Sequence, residues 1–451
     1  MIKTGLAAQR AFFATGTTRD TSFRTEQLKK FKSAIKKHEK KIADALWADL
    51  HKSFEEAYLT EISIVIQEIN NHIHRLKKWS KPKRVPTPSH LLPSSSRIIY
   101  EPLGVSLIVA PWNYPFQLLM NPLVGSISAG NCAVLKPSPY TQNTAKVMQE
   151  LIKETFPPEY IDIVLGGREV NELLFKQKTD IVFYTGSPAV GKVVMSAAAE
   201  QLTPVVLELG GKSPCIVDKD AKLSVAARRI VWGKTINAGQ TCIAPDYLLV
   251  HESVKDALIE EMKTAVREMF GEDVRQSKHF GRIVNDKAFD RLSGYLTNGK
   301  IVLGGVSDKS ERYISPTVLD DAKPEDAVMQ EEIFGPILPV MTFADINKAI
   351  SYVNSNEKPL AFYYFGKSKK AKEVLLKTTS GGGCINDTVV HVANHRLPFG
   401  GVGNSGMGRY HGKESFLAFS NRRSMVTTPT RIDFPFRYAP YKFFRWIRKI
   451  I

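Results

Sequence analysis

A cysteine in a glycine-containing turn is the first feature of this sequence whose residue types suggest chemistry. Cys242 ends the run Asn-Ala-Gly-Gln-Thr-Cys at 237–242, between a predicted helix and the β-type run at 247–251. Backbone N–H groups at such a turn can lower the pKa of a thiol and bind an oxyanion, as a catalytic nucleophile requires. The alternative is a buried, inert cysteine, which is our interpretation of Cys132, Cys215 and Cys384.

Residues 180–191 have the composition of a turn that binds phosphate. An apolar run leads directly into a predicted helix, for which Ser187 is a favourable N-cap and Pro188 a favourable first residue. Gly186 and Gly191 let a ligand approach the backbone, and free N–H groups at the helix start attract an anion. The alternative is that the glycines serve only the packing of the helix on the strand.

Five motifs stand in the order and spacing of one enzyme superfamily. They are Pro-Trp-Asn-Tyr-Pro (111–115), Glu-Leu-Gly-Gly-Lys (208–212), Gly-Gln-Thr-Cys (239–242), Glu-Glu-Ile-Phe-Gly-Pro (331–336) and Leu-Pro-Phe-Gly-Gly-Val-Gly-Asn-Ser-Gly-Met-Gly (397–408). Through them the chain resembles the aldehyde dehydrogenase superfamily over nearly its whole length, and most of all the class 3 branch of fatty and aromatic aldehyde dehydrogenases. The resemblance implies oxidation of a medium- or long-chain aliphatic or aromatic aldehyde to the carboxylic acid, with NAD or NADP.

The resemblance also implies roles for three residues in a mechanism that passes through a thiohemiacetal and a thioester. Cys242 would be the nucleophile, Asn113 a donor to the oxyanion, and Glu208 the general base that activates the deacylating water. An acylating or acyl-reducing relative is an alternative, although Glu208 favours hydrolysis. An alternative of another class is a non-catalytic, membrane-associated scaffold that has kept the fold.

The cofactor-binding residues implied by the resemblance are Lys136, Gly186, Ser187, Gly191, Glu332 and Phe334. Glu332 would bond the nicotinamide ribose beside Phe334, whereas Lys136 and the glycine turn would hold the adenosine ribose and the pyrophosphate. From the residues alone, Glu332 is better interpreted as a solvated acid and Phe334 as a core side chain. Lys136 could likewise cap its strand in solvent.

One position departs from the family pattern and bears on the choice of cofactor. Many NAD-selective relatives have glutamate after Lys-Pro-Ser, whereas Pro139 follows Lys136, Pro137 and Ser138 in this chain. The carboxylate that would bond the adenosine ribose and repel a 2′-phosphate is therefore missing. We expect this chain to use NADP alongside NAD.

Two aromatic residues and two histidines have alternative interpretations. Tyr114 and Phe399 could line an apolar substrate tunnel, and either could equally lie in the core. His391 and His395 are four residues apart, which on a helix would make half a metal site. The β-type run at 388–392 argues against a helix, and the chemistry needs no metal, so we predict no metal site.

The pattern of predicted elements indicates an α/β fold. Amphipathic helices are expected from Thr25 to Trp79, and the proline-rich stretch 80–96 marks a linker or crossing arm. Short β-type runs then alternate with helices in two successive units, which is typical of parallel sheets. We predict an aldehyde dehydrogenase-like fold with a Rossmann-type cofactor domain, a second α/β catalytic domain and a small oligomerisation arm.

The predicted domain boundaries follow these units. Residues 1–79 and 99–208 would form the NAD(P)-binding domain and 209–396 the catalytic domain, whereas 80–98 and 397–430 would be bridging and oligomerisation elements. The resemblance to class 3 enzymes implies a homodimer.

The C-terminal tail, residues 431–451, is basic and amphipathic. As a helix it would carry on one face Phe443, Phe444, Ile447, Ile450 and Ile451, largely opposite Lys442, Arg445, Arg448 and Lys449. We expect the tail to dock on its own or the partner subunit, with peripheral membrane contact as the alternative.

The composition suits a globular enzyme with free thiols. The formal net charge is +17, yet we find no nucleic-acid motif and expect no nucleic-acid partner. The four cysteines form no CxxC pair, and no apolar run is long enough to span a membrane. We expect a cytoplasmic enzyme whose small-molecule partner is an aldehyde.

Overall fold

Two largely parallel β-sheets flanked by helices form the body of the computed structural model, which describes residues 2–441 and 443–448. The predicted α/β architecture is thereby confirmed. A three-stranded antiparallel sheet and a two-stranded one complete the fold.

The first sheet has six strands. In spatial order they are Gly406–Met407, Val205–Leu209, Ile181–Gly186, Val105–Val109, Cys132–Lys136 and Ile161–Ile163. All neighbours are parallel except Gly406–Met407, which is antiparallel to its neighbour. Central strands buried on both faces agree with the apolar runs in the sequence, and the aligned carboxyl ends form one edge where ligands bind in such sheets.

The second sheet has seven strands. In spatial order they are Lys300–Leu303, Thr317–Asp320, Ile337–Phe343, Tyr247–His251, Pro214–Val217, Ala361–Phe365 and Gly382–Ile385. Only the first pair is antiparallel. Cys242 lies between the helix Leu223–Thr235 and the central strand Tyr247–His251.

The N-terminal helices lead to the site through a break in the helical pattern. Ile2–Ala14 precedes Thr21–Leu50, which begins at the N-cap Asp20 and ends at His51 with a φ of 57°. A short α-helix, Phe54–Ala57, and a π-helical turn, Tyr58–Ile62, connect to the helix Ser63–Trp79. Periodicity predicts helices here but indicates neither the break nor the π turn.

The other helices follow the strands in chain order. They are Gln117–Ala129, Gln142–Thr155, Arg168–Phe175, Pro188–Ala199, Leu223–Thr235, Lys255–Phe270, Asp286–Tyr295, Ala327–Gln330, Ile346–Ser355, Ser368–Lys377, Lys413–Ala418 and Phe444–Ile447.

The predicted arm forms an antiparallel sheet. Its central strand, Ser95–Pro102, pairs with Lys83–Val85 on one side and with Ser420–Thr427 on the other. Ser307–Asp308 and Tyr313–Ile314 form the two-stranded sheet.

The described part of the C-terminal tail is exposed. Its only regular elements are the turn Pro435–Arg437 and the helix Phe444–Ile447, and the side chains of Tyr438, Phe443 and Phe444 are at least half exposed. Of the predicted amphipathic helix, four residues lie outside the described part of the chain: Lys442, Lys449, Ile450 and Ile451. Within residues 2–441 and 443–448, no helix combines the length and apolarity needed to cross a membrane.

Two sequence-based assignments of strands are corrected. The β-type run 388–392 is wrong, because Val389 has a φ of 52° and Val390–Ala393 forms a 3-10 turn. The neighbouring strand Gly382–Ile385 ends before this run, which therefore pairs with no strand. Residues 160–166 form one of the β-type runs of the sequence, which predicts a strand over the whole run, but only Ile161–Ile163 is a strand. In both cases β-type composition reflects packing rather than an intrinsic backbone preference.

Candidate active site

The loop that carries Cys242 has an uncommon backbone conformation. Asn237, Ala238 and Gly239 have φ values of 53°, 51° and 75°, all in the left-handed region. Residues other than glycine adopt this region at a cost of about 1–3 kcal/mol and keep it only where surrounding contacts impose it. The loop before the nucleophile is therefore held by tertiary contacts.

The Gln240 side chain supplies several of those contacts. Its Nε2 donates to the backbone oxygens of Asn237 and Arg282, both at 3.0 Å. Its Oε1 accepts from the backbone N–H of Val284 at 3.0 Å. The side chain is completely buried, so these bonds fix the backbone two residues before Cys242.

Asn113 contacts the same loop from the first sheet. It follows the strand Val105–Val109 and is buried, and its Nδ2 donates to the backbone oxygen of Gln240 at 3.0 Å. Because a carbonyl can only accept, the nitrogen end of the carboxamide must face the nucleophile loop. The second hydrogen of Nδ2 bonds no described residue, and Asn113 lines the same cavity as Cys242.

Glu208 lies in the strand Val205–Leu209 with both carboxylate oxygens buried and without a hydrogen-bond partner in the described structure. Burial raises its pKa well above the ordinary value, and the guanidinium of Arg409 only partly opposes this effect. A Cβ on Gly400 would lie 2.9 Å from Oε1, so glycine lets the 397–408 segment approach the carboxylate. The environment therefore shifts the pKa of this carboxyl group upward, in the direction that general base catalysis near neutral pH requires.

One cavity of about 820 Å³ connects most of the predicted site residues. Its lining includes Asn113, Gly186, Ser187, Glu208, Cys242, Glu332 and Phe334. Residues from both sheets thus meet on one space, which is large enough for a cofactor together with a small reacting group.

The thiol of Cys242 is partly buried at this cavity. Burial raises its pKa well above the ordinary value, and the charges of Glu332 and Glu208 act in the same direction. The backbone N–H groups of Cys242 and Ile243 oppose the shift without reversing it. The backbone donors of the turn thus lower the pKa of this thiol in the expected direction, but desolvation outweighs them.

The predicted phosphate-binding turn also contributes to the lining of this cavity. The Ser187 hydroxyl accepts from the backbone N–H of Val190 at 3.4 Å and caps the helix Pro188–Ala199. Thr185, also in the lining, has a buried hydroxyl without a hydrogen-bond partner among the described residues. A helix start with free N–H groups beside an unpaired hydroxyl suits a pyrophosphate.

Glu332 and Phe334 form another part of the lining. Glu332 is not the fully solvated acid, and Phe334 not the core side chain, that the residues alone favour. Burial raises the pKa of Glu332 to about 8, with the charge of Asp246 adding to the effect. A Cβ on Gly210 would lie 2.0 Å from a Glu332 oxygen, so glycine permits this placement. Phe334 is only partly buried and meets the ring of Trp112 edge-on at 5.3 Å.

Lys136 and Gly191 do not line the cavity. Lys136 is buried, its Nζ donates to the Pro137 oxygen at 2.7 Å, and burial lowers its pKa to about 8. A strand cap in solvent is thereby excluded. A Cβ on Gly191 would lie 2.7 Å from a methyl of Leu209, so this glycine serves the packing of helix on strand.

Tyr114 and Phe399 are buried and also do not line this cavity. The Tyr114 hydroxyl bonds the Thr241 hydroxyl at 2.7 Å, next to the nucleophile. Phe399 stacks on His411 with ring centroids 5.1 Å apart. Of His391 and His395, the histidines four residues apart, His391 lies on the 3-10 turn Val390–Ala393, with its Nδ1 3.5 Å from Sγ of Cys384.

Three charged residues near the site were missed from the sequence: Lys52, Glu56 and Glu61. Lys52 bonds the backbone of Asn113, and Glu61 bonds that of Phe116. Glu56 bonds the backbone of Asn237. One signal was available, since Glu61 lies four and eight residues before the buried Val65 and Ile69, on an otherwise apolar stripe.

Comparison with known proteins identifies the family. The model of the aldehyde dehydrogenase family matches residues 3–425. The chain is 51% identical to 4,4′-diaponeurosporen-aldehyde dehydrogenase of Staphylococcus aureus over 96% of its own length and 95% of that protein. It is 45% identical to a dimeric NADP-preferring aldehyde dehydrogenase of Canis lupus familiaris, with 96% of each chain covered.

A solved structure described as the substrate-bound state of Staphylococcus aureus AldH matches with a TM-score of 0.98 and 49% identity, over 100% of this chain and 99% of that one. Its likeness extends the sequence match to the whole backbone. The chain therefore belongs to the aldehyde dehydrogenase family, in the class 3 branch that its motifs resemble, and oxidises an aldehyde to a carboxylic acid with a nicotinamide cofactor.

Proposed function

We propose that Cys242 adds to a medium- or long-chain aliphatic or aromatic aldehyde, that hydride loss to the nicotinamide cofactor converts the adduct to a thioester, and that the thioester is then hydrolysed. The observation that carries the proposal is the placement of Cys242, Asn113 and Glu208 on one cavity. The substrate class rests on the resemblance to class 3 enzymes.

The first step is addition of the Cys242 sulfur to the aldehyde carbon. A new C–S bond forms as the thiol gives up its proton to solvent, and the electron pair of the carbonyl moves to its oxygen. The free hydrogen of Asn113 Nδ2 and the backbone N–H of Cys242 donate to this oxyanion. The bond from Nδ2 to Gln240 at 3.0 Å holds the donor in place before the substrate arrives.

The cofactor, when bound, supplies the hydride acceptor that oxidises the thiohemiacetal to the thioester. The residues present fit such a group. The capped helix start at Ser187 and the unpaired Thr185 hydroxyl suit the pyrophosphate. Glu332 suits a ribose hydroxyl, and the exposed part of Phe334 offers an apolar face.

The last step is hydrolysis assisted by Glu208. Its carboxylate accepts a proton from a water molecule, which attacks the thioester carbon while the C–S bond breaks. The raised pKa of Glu208 makes its carboxylate a stronger base than an exposed glutamate. The unpaired oxygens leave this carboxylate free to bind water.

Replacement of Glu208 by glutamine tests the scheme. We expect Glu208→Gln to give one rapid burst of NADH per site. Its steady-state turnover should then be lower than that of the natural sequence by about 100-fold or more, because deacylation lacks its base. Cys242→Ala is the matched control and should give no burst. Unchanged steady-state turnover of Glu208→Gln would contradict the mechanism, and so would a thioester released only by an added thiol such as coenzyme A.

We further propose that the enzyme accepts NADP alongside NAD. Pro139 stands where an acid would repel the 2′-phosphate, and the buried cation of Lys136 lies in the same segment. The relative from Canis lupus familiaris is described as NADP-preferring, which supports the proposal.

Measurement of kcat/KM for both cofactors tests this choice. Pro139→Glu should lower kcat/KM for NADP by about tenfold or more and leave the value for NAD nearly unchanged. A preference of the natural sequence for NAD on the order of several hundredfold would contradict the proposal.

The assembly that we propose is a cytoplasmic homodimer. The dimeric description of the Canis lupus familiaris relative supports the oligomeric state, and the four unpaired cysteines suit a reducing compartment. The exposed aromatic residues of the tail suit docking on the partner subunit, with a membrane surface as the alternative.

A further inference from the structure

A buried ion pair connects the N-terminal helices to the backbone of the 111–115 motif. Lys52 Nζ lies 2.6 Å from Glu61 Oε1, and both side chains have 0% exposure. Lys52 stands in the break between two helices and Glu61 in the π-helical turn Tyr58–Ile62. Local π-helical turns occur frequently at functional sites.

Both partners also form hydrogen bonds with the backbone of the segment that carries Asn113. Lys52 Nζ donates to the backbone oxygen of Asn113 at 2.8 Å. Glu61 Oε2 accepts the backbone N–H groups of Phe116 at 2.9 Å and Gln117 at 3.1 Å. The pair thus holds Asn113 from one side and the start of the next helix from the other.

A third charged residue of the same segment reaches the nucleophile loop. Glu56 Oε1 accepts from the backbone N–H of Asn237 at 2.7 Å, the first of the left-handed residues before Cys242. The Asn237 side chain in turn donates to the backbone oxygen of Asn113 at 2.8 Å. Asn113 and the nucleophile loop are therefore fixed by one continuous set of buried and partly buried polar contacts.

We propose that Lys52, Glu56 and Glu61 are positioning residues that set the Asn113 carboxamide relative to Cys242 and thereby determine the rate of the oxyanion-forming step. None of them lines the cavity, so none contacts the reacting atoms. The proposal rests on the donor role of Asn113 proposed above.

Stability alone is a weak reason for such an arrangement. Removal of two charges from water costs several kcal/mol per ion by order of magnitude, and a buried pair often contributes no net stability over apolar residues of similar size. A fixed donor, by contrast, is sensitive to displacement, because a misplacement of about 1 Å can slow catalysis about 100-fold. The network acts on geometry at the site where geometry matters most.

A double-mutant cycle between the network and Asn113 tests the proposal. We expect Glu61→Gln to lower kcat and the NADH burst rate about tenfold in the natural background, with KM for the cofactor unchanged. In an Asn113→Ala background the same substitution should lower both by less than about twofold, since no donor remains to be positioned.

The matched control is Glu68→Gln. Glu68 is also a buried carboxylate of this helical layer, but it bonds His72 and the backbone N–H of Gly412. Its replacement should leave kcat nearly unchanged. An effect on kcat equal to that of Glu61→Gln would overturn the proposal, because loss of any buried charge would then suffice.

A second variant guards against simple unfolding. Lys52→Met combined with Glu61→Gln removes both charges at nearly constant volume, so the double variant should fold, and its kcat should again fall about tenfold. Equal losses with and without Asn113 would overturn the positioning proposal alone. Full activity of Asn113→Ala would overturn the donor role of Asn113 and, with it, this inference.

Discussion

At the scale of single residues, the proposed chemistry depends on two ionisable groups whose pKa values burial shifts in the same direction. The pKa of Cys242 and that of Glu208 are both raised, because desolvation penalises the thiolate and the carboxylate. The charge of Glu208 adds to the shift at Cys242, whereas the charge of Arg409 opposes the shift at Glu208. The nucleophile becomes reactive only as its proton leaves.

The rate of Cys242 alkylation by iodoacetamide should follow this raised pKa. Below the pKa the thiolate fraction grows about tenfold per pH unit, so inactivation should accelerate steadily between about pH 6 and pH 9. Loss of activity is the measurement, because it reports Cys242 rather than the other cysteines. A rate that levels off below about pH 8 would mean a lowered pKa and would contradict the structure.

At the scale of elements, two loops from distant parts of the chain touch at the nucleophile. Gly239 has a φ of 75°, and a Cβ there would lie 2.2 Å from the backbone oxygen of Gly335. Gly335 follows Phe334, which has a φ of 52°. The contact ties the loop before Cys242 to the segment that carries Glu332.

Gly239→Ala should push these two loops apart. We expect the free energy of unfolding to fall by about 1–3 kcal/mol from the strained φ, with further loss from the overlap, and kcat to fall with it. Denaturant unfolding and steady-state kinetics are the measurements. Gly294→Ala is the control, because Gly294 lies in the helix Asp286–Tyr295 with open space around its Cβ position and should gain stability. A Gly239→Ala variant as stable and active as the natural sequence would contradict the contact.

At the scale of the whole molecule, charge and apolar surface coincide at the C-terminal end. The chain carries a net charge of +17, and the described tail exposes Arg437, Arg445 and Arg448 beside Phe443 and Phe444. Such a surface is suited either to the partner subunit or to an anionic membrane.

A variant that ends at Asp433 separates these two uses of the tail. If the tail docks on the partner subunit, the truncated enzyme should form a weaker dimer by analytical ultracentrifugation and bind anionic vesicles no less than the full chain. If it binds membranes, truncation should abolish co-sedimentation with vesicles and leave the dimer intact. Equal dimerisation and equal vesicle binding by both forms would exclude both roles.

The motifs of Cys242, Asn113 and Glu208 pointed to these residues only through their resemblance to a known family. The α/β pattern and the capped helix start at Ser187 and Pro188 followed from local rules in the sequence. These features depend on neighbours within a few residues, on periodicity, capping and turn composition. A sequence window contains all of that information.

The tertiary structure alone decided the electrostatics and the exposure of those residues. Elements far away in the chain cover Cys242, Tyr114 and Phe399. This coverage buries the two aromatic side chains and raises the pKa of the thiol by desolvation. Glu56 and Asn237 are 181 residues apart, yet they share a hydrogen bond. Contact between such distant residues follows from the packing of layers, and no local pattern encodes it.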